Sequence, residues 1–264
     1  QGDARAKMLL LVGHSYRLRK SYARAVEVYL LIEQYHPTLD EAFEAGYWKL
    51  YCFYLLNDND LGEFATAFIT RHAQNHANHE YLALARLIRA DFYFNKSNFQ
   101  QAALSYNEVT IDLLPEKLRP GTLFNMGWAQ AEAGRQQEAV GTFTRFISEY
   151  AQHEFIPKAY ARRGLASRDA RDLPKAKADF EHVTKEFPKS DACEMAWLQL
   201  GFIAMEQKDP KATIAAFETL LKKFPNTAAA AQAYYGIGRG NFDLKIFDKA
   251  LPALRRSIEL DSKT

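Results

Sequence analysis

Small residues recur down this chain at a fixed interval, with Gly127, Gly164, Gly201 and Gly238 standing 37 residues apart. Towards the N-terminus the ladder continues through Ala90, Cys52 and Gly13, at intervals of 37, 38 and 39. Twelve residues after each rung comes a second, mostly small position: Ala25, Phe64, Ala102, Ala139, Ala176, Thr213 and Ala250. Four further on comes a large apolar one: Tyr29, Phe68, Tyr106, Phe143, Phe180, Phe217 and Leu254. A period of about 20–50 residues is the mark of a solenoid. Three position classes in register over seven units predict an all-α array of about fourteen helices and no sheet.

The positions have a physical reading. A rung and the small residue twelve later fall on two successive helices, which small side chains allow to pack closely. The large residue four further on lies one turn along the same face. There it fills the gap between its own hairpin and the next. One hairpin cannot bury that residue alone, so each repeat requires a neighbour.

This pattern resembles the tetratricopeptide repeat. In that family's order the fifth repeat reads Tyr160, Gly164, Leu173, Ala176, Phe180 and Pro188. The sixth reads Trp197, Leu200, Gly201, Ala216, Phe217 and Pro225, and the first Leu9, Val12, Gly13, Tyr16, Tyr22, Ala25, Tyr29 and Pro37. The second repeat departs from the pattern at Phe64 and Arg71, and the third at Arg86. The resemblance implies a right-handed superhelical solenoid of about seven hairpins, a single domain over residues 1–264. Its repeats fall at about 6–39, 40–78, 79–117, 118–154, 155–191, 192–228 and 229–264.

The family's usual period is shorter, and here the surplus falls in segments such as Phe187-Pro188-Lys189-Ser190 and Phe224-Pro225-Asn226-Thr227. Proline cannot continue the helix, and Thr38, Ser190 and Thr227 are expected to cap the helices that follow. Thr38 with Glu41 reads as a capping box. Long repeats with Phe-Pro-x-Ser/Thr are similar in style to bacterial cell-envelope tetratricopeptide proteins, of the BamD-like and YbgF-like types. That style implies a periplasmic or outer-membrane-associated setting, with peripheral attachment to an envelope complex. The chain begins at Gln1, so a missing export signal carries no information. Two cysteines several repeats apart are expected to be unpaired, which tilts instead towards a reducing compartment and a cytoplasmic location.

A formal charge of +2 gives no reason to expect capture of nucleic acid. No stretch approaches the roughly 18 uncharged apolar residues of a spanning helix. Gly236, Gly238 and Gly240 lie inside a predicted helix, where a phosphate-binding loop would need a preceding strand. His72, His76 and His79 are read as a solvated helix end, favoured near the C-terminal dipole, so no metal or cofactor is expected. No serine or cysteine nucleophile has a recognisable context, and the chain is read as non-enzymatic.

In the family, the first helix of each repeat lines a concave groove. Counted from the rungs, the groove candidates are Phe53, Phe94, Phe124, Trp128, Lys158, Arg162, Leu198, Phe202, Met205, Tyr235, Arg239 and Phe242. Phe124, Trp128, Phe202, Met205 and Phe242 are expected to be substantially exposed. Large apolar groups on an open face mark a binding surface. Aromatic and arginine anchors favour a peptide or partner protein. The family's clamp for chaperone C-termini is matched at Asn125, Lys158 and Arg162, but Leu87 and Asp91 occupy its first two places. A carboxylate at Asp91 would repel the ligand's own, so that clamp is excluded. The expected function is a protein-interaction scaffold, either in envelope assembly or as a cytosolic adaptor or secretion-type chaperone.

Overall fold

The computed structural model describes residues 2–261. Among these are fourteen α-helices and no strand. The chain forms two compact units, residues 1–135 and 136–264.

The first unit holds α1 (Gly2–Leu18), α2 (Tyr22–Tyr35), α3 (Asp40–Leu55), α4 (Leu61–His72), α5 (Glu80–Asn95), α6 (Phe99–Asn107) and α7 (Arg119–Glu132). Between α6 and α7 the chain makes two single-turn 3-10 helices, Ile111–Leu113 and Glu116–Leu118. The second unit holds α8 (Gln136–Glu149), α9 (Ile156–Asp169), α10 (Leu173–Glu186), α11 (Ala192–Glu206), α12 (Pro210–Lys223), α13 (Ala230–Asp243) and α14 (Phe247–Asp261). Within each unit every helix packs on the next in sequence, and odd-numbered helices also touch the next odd-numbered one. That second contact makes the odd-numbered helices a shared face within each unit.

The wedge positions do what their spacing implies. Phe217 is fully buried on α12, between α11 and α13. A Cβ added to Gly201 would lie 2.5 Å from its ring, and one added to Gly236 would also collide with it. Tyr29 and Phe180 cover Gly13 and Gly164 in the same manner.

The second repeat breaks the register. Cys52 is buried with Ala25 and Tyr29 of the preceding hairpin, while the residue that meets the wedge Phe68 is Gly46. Phe64 is 38% exposed, and Ala65 beside it takes the buried small position. A phenyl ring cannot enter the space an alanine fills, so α4 is turned by one residue.

Turns between paired helices share one geometry. Lys20, Asn57 and Ser97 in the first unit, and Arg171, Lys208 and Lys245 in the second, adopt positive φ. The next amide then reaches back five residues, as from Asp172 to Ser167 at 2.8 Å and from Asp209 to Ala204 at 3.0 Å. This closes the preceding helix as a Schellman turn. Asn98, Asp172 and Asp209 then accept the amides of Gln101, Lys175 and Ala212 and cap the following helices.

The expected caps at the other turns are replaced. The packing of Leu39 against the Ala6–Ala42 cluster starts α3 at Asp40, leaving Thr38 outside the capping position. Ser190 donates back to the Phe187 carbonyl at 2.9 Å. Thr227 donates to Glu194 at 2.6 Å and accepts the Ala229 amide, one residue short of α13.

Candidate functional site

In the first unit, α1, α3 and α5 meet around the carboxylate of Glu44. Its Oε1 accepts from Trp48 Nε1 at 3.1 Å and Tyr81 Oη at 3.3 Å, and lies 3.4 Å from His14 Nε2. His14 Nδ1 is 2.9 Å from the Tyr29 hydroxyl. Burial lowers the His14 pKa, and the Glu44 charge works against that shift. The Arg17 guanidinium stacks 3.9 Å from the centre of the Trp48 ring. Beside this hub opens a cleft of about 560 Å³, walled by Lys7, Leu11, His14, Glu44, His79 and Tyr81 among others. The rung count missed the hub because it started from Cys52. The signal lay in Glu44, Trp48 and Tyr51, one stripe at helical spacing on α3.

Phe53 stands on the opposite side of α3 from Trp48. Its ring stacks on Phe64 at 4.5 Å and it lines a cleft with α2 and α4, so it is not part of the shared odd-helix face. The reason is that Cys52, from which Phe53 is counted, packs with the preceding hairpin, while Gly46 meets the wedge of repeat 2. Phe94 and Trp128 do meet, edge to face at 5.3 Å, joining α5 to α7. Trp128 is partly buried and its Nε1 donates to Glu132 at 3.1 Å. Phe124, expected in the open, is only 5% exposed.

Asp91 on α5 is drawn inward, accepting from the Tyr106 hydroxyl. Burial pushes its carboxyl up to about 6, with the Tyr106 bond pulling the other way. Between about pH 4, where an unfolded aspartate titrates, and about pH 6, the folded chain keeps a proton that the unfolded chain has lost. The group's contribution to stability is therefore full below about pH 4 and falls as the pH rises through 6. Asp91→Asn is expected to raise the thermal midpoint at pH 7 by about 2–4 °C, the scale of roughly 1 kcal/mol. At pH 4 it should leave the midpoint unchanged. Thermal melts of both proteins at both pH values check this.

The three histidine rings gather around Phe43, with His72 and His76 partly buried and His79 still exposed. The His76 ring stacks flat on it at 3.8 Å, with His72 at 5.0 Å and His79 at 4.9 Å. Among the described residues, no group of three or more His, Cys, Asp or Glu is placed to hold a metal. Cys52 and Cys193 are free and buried, and burial pushes the Cys52 thiol up to about 11.

In the second unit the shared face belongs to α9, α11 and α13. Arg168 donates to Glu206 at 2.7 Å and Gln199 at 2.6 Å, tying α9 to α11, and its guanidinium lies 5.7 Å from the Phe202 ring. Phe202 is partly buried, edge-on to the Phe217 wedge at 5.6 Å. Leu198 and Met205 pack into the same core. Trp128, Phe202 and Met205 are thus less open than expected, because each leans on a wedge or a neighbouring odd helix.

Lys158 and Arg239 are exposed, Arg162 is partly buried, and Arg239 pairs with Asp243 at 3.0 Å. Tyr235 and Phe242 are 47% and 54% exposed. With Arg239 they occupy one face of α13 at spacings of four and three. Gly236, Gly238 and Gly240 lie within α13, pressed against Phe217, Leu254 and Ile214.

The tetratricopeptide-repeat family matches at residues 122–153 and 198–263. No curated protein matches the chain by sequence. Among solved structures, a MamA protein is similar in fold at 18% identity and a TM-score of 0.57, over 69% of this chain and 92% of that one. MamA from residue 41 onward of Desulfovibrio magneticus RS-1 gives 19% and 0.57, over 69% and 96%. BtubC from P. vanneervenii gives 13% and 0.56, over 79% and 91%. At such identities the likeness concerns the fold alone. Among the described residues no helix is long and apolar enough to cross a membrane.

Proposed function

We propose that this chain, a tetratricopeptide-repeat protein, is a non-enzymatic scaffold that holds a peptide segment or partner protein on the odd-numbered helices of its second unit. The observation that carries the reading is the α13 face. Tyr235 and Phe242 stand half open to solvent with Arg239 between them, although wedges of the same size are fully buried. Tyrosine and arginine are over-represented among the few residues that dominate binding energy. Lys158 on α9 adds an exposed cation to the same set of helices.

Tyr235→Ala with Phe242→Ala tests it. Photo-crosslinking from position 239 in the source organism identifies the partner, and titration with that partner measures affinity. The double variant should weaken binding by about thirtyfold or more, the effect of losing a single strong anchor. Its melting temperature should stay near wild type, since exposed positions cost little. Undiminished affinity in a folded double variant places the binding surface elsewhere.

The setting we propose is bacterial envelope assembly, periplasmic or outer-membrane-associated. It is supported by the 37-residue period and the Phe-Pro-x-Ser/Thr turns at Phe187 and Phe224. Fractionation of the source organism checks it, and recovery with the cytosol would favour an adaptor or secretion-type chaperone.

A further inference from the structure

We propose that the cleft between α2, α3 and α4 binds an anionic amphiphile, a carboxylate carrying an unbranched alkyl chain of medium length. Phe64 and Arg71, the two residues by which the second repeat leaves its pattern, both line this cleft. The Phe64 ring lies outside the hairpin core, stacked on Phe53, while the small Ala65 turns inward. That displacement leaves a space of about 360 Å³ between α4 and its neighbours. The size falls within the usual range for small-molecule sites, which are mainly apolar with a few placed polar groups.

The walls are Leu30, Leu50, Phe53, Phe64, Ala67 and Phe68. They offer no side-chain hydrogen-bond partner, so a peptide backbone lying there would leave its own N–H and C=O groups unsatisfied at high cost. An alkyl chain has no such groups.

Polar side chains in the lining are Glu33, Lys49, Arg71 and His72. Lys49 is ion-paired with Glu33. Arg71 is exposed and has no ion-pair partner among the described residues. The His72 imidazole is pushed down to about 4 by burial first, then by the charges of Arg71, His76 and Lys49, and so is neutral at physiological pH. Two cations against one carboxylate leave a positive end to an apolar cleft, which complements a single carboxylate head. The site lies across α3 from the Glu44 and Trp48 hub.

Calorimetric titration of the full chain with decanoate, and with decanol as the uncharged control, tests the proposal. Decanoate should bind, and decanol should bind at least about tenfold more weakly, the scale of one charge-assisted hydrogen bond. Arg71→Glu should weaken decanoate by about tenfold or more, and Ala67→Trp, which fills the cleft, should abolish binding. Both positions are exposed, so circular dichroism and melting should remain those of wild type. The proposal is overturned if decanoate fails to bind the folded chain, if decanol binds equally well, or if both variants bind as wild type. It is also overturned, in favour of a protein ligand, if decanoate fails while an acidic apolar peptide binds through Arg71. Partner affinity at Tyr235 and Phe242 should be unchanged in either variant, which separates this site from the scaffold reading.

Discussion

Phe217→Ala is expected to lower the unfolding free energy by about 3–5 kcal/mol, the range for truncating a buried phenylalanine. Phe217 has no exposed surface, and it separates Gly201 on its own hairpin from Gly236 on the next. Its loss opens two helix contacts together, and the backbone cannot close both gaps without moving α13. Gly201→Ala should also destabilise, because its new Cβ would lie 2.5 Å from the ring. The pair gives a directional check. Gly201→Ala combined with Phe217→Leu should cost less than the sum of the two single changes, since the smaller side chain makes room for the methyl group. Additive costs in urea titrations would mean that the ring and the rung do not share that space.

Asp179→Ala is expected to cost a similar amount, about 3–5 kcal/mol, by stranding a buried guanidinium. Asp179 on α10 accepts from Arg163 of α9 at 2.9 Å and 2.6 Å, with side-chain exposures of 5% and 14%. The remaining arginine nitrogen donates to Thr144 of α8 at 3.2 Å, so one side chain joins three helices. Being buried, the pair is weakly screened, and the cost should change little with added salt. Replacing both partners, Arg163→Met with Asp179→Leu, should recover most of the loss, since a buried pair replaced by apolar groups is often neutral. A double variant as unstable as Asp179→Ala would show that the pair itself, not the stranded charge, carries the energy.

What could be read in advance follows from spacing. The rungs and wedges predict the helix count because each is a residue type forced by a close approach that recurs down the chain. The same logic would have found the buried pairs. Arg163 and Asp179 are sixteen apart, one residue ahead of Gly164 and Phe180, so they inherit the contact between paired helices. Asp91 and Tyr106 follow it at fifteen.

The second repeat was illegible because the count began at Cys52, a small residue that serves the preceding hairpin. That error carried Phe53 to the wrong side of α3 and hid Glu44 and Trp48. The burial of Phe124 and the partial burial of Phe202 were missed for a different reason. Periodicity tells which helix face a residue occupies, but whether a neighbour covers that face depends on the sizes of side chains distant in sequence.

The positive-φ turns have a mechanical consequence. In the second unit they recur at Arg171, Lys208 and Lys245, 37 residues apart. Each stretch between them is a length of chain held mainly by its immediate neighbours. Under tension applied from one end, such a chain gives way in discrete steps, each releasing about 130 Å of contour at the extended length per residue. The unit would then act as a ratcheted spring, lengthening by equal increments while the hairpins still folded keep their shape.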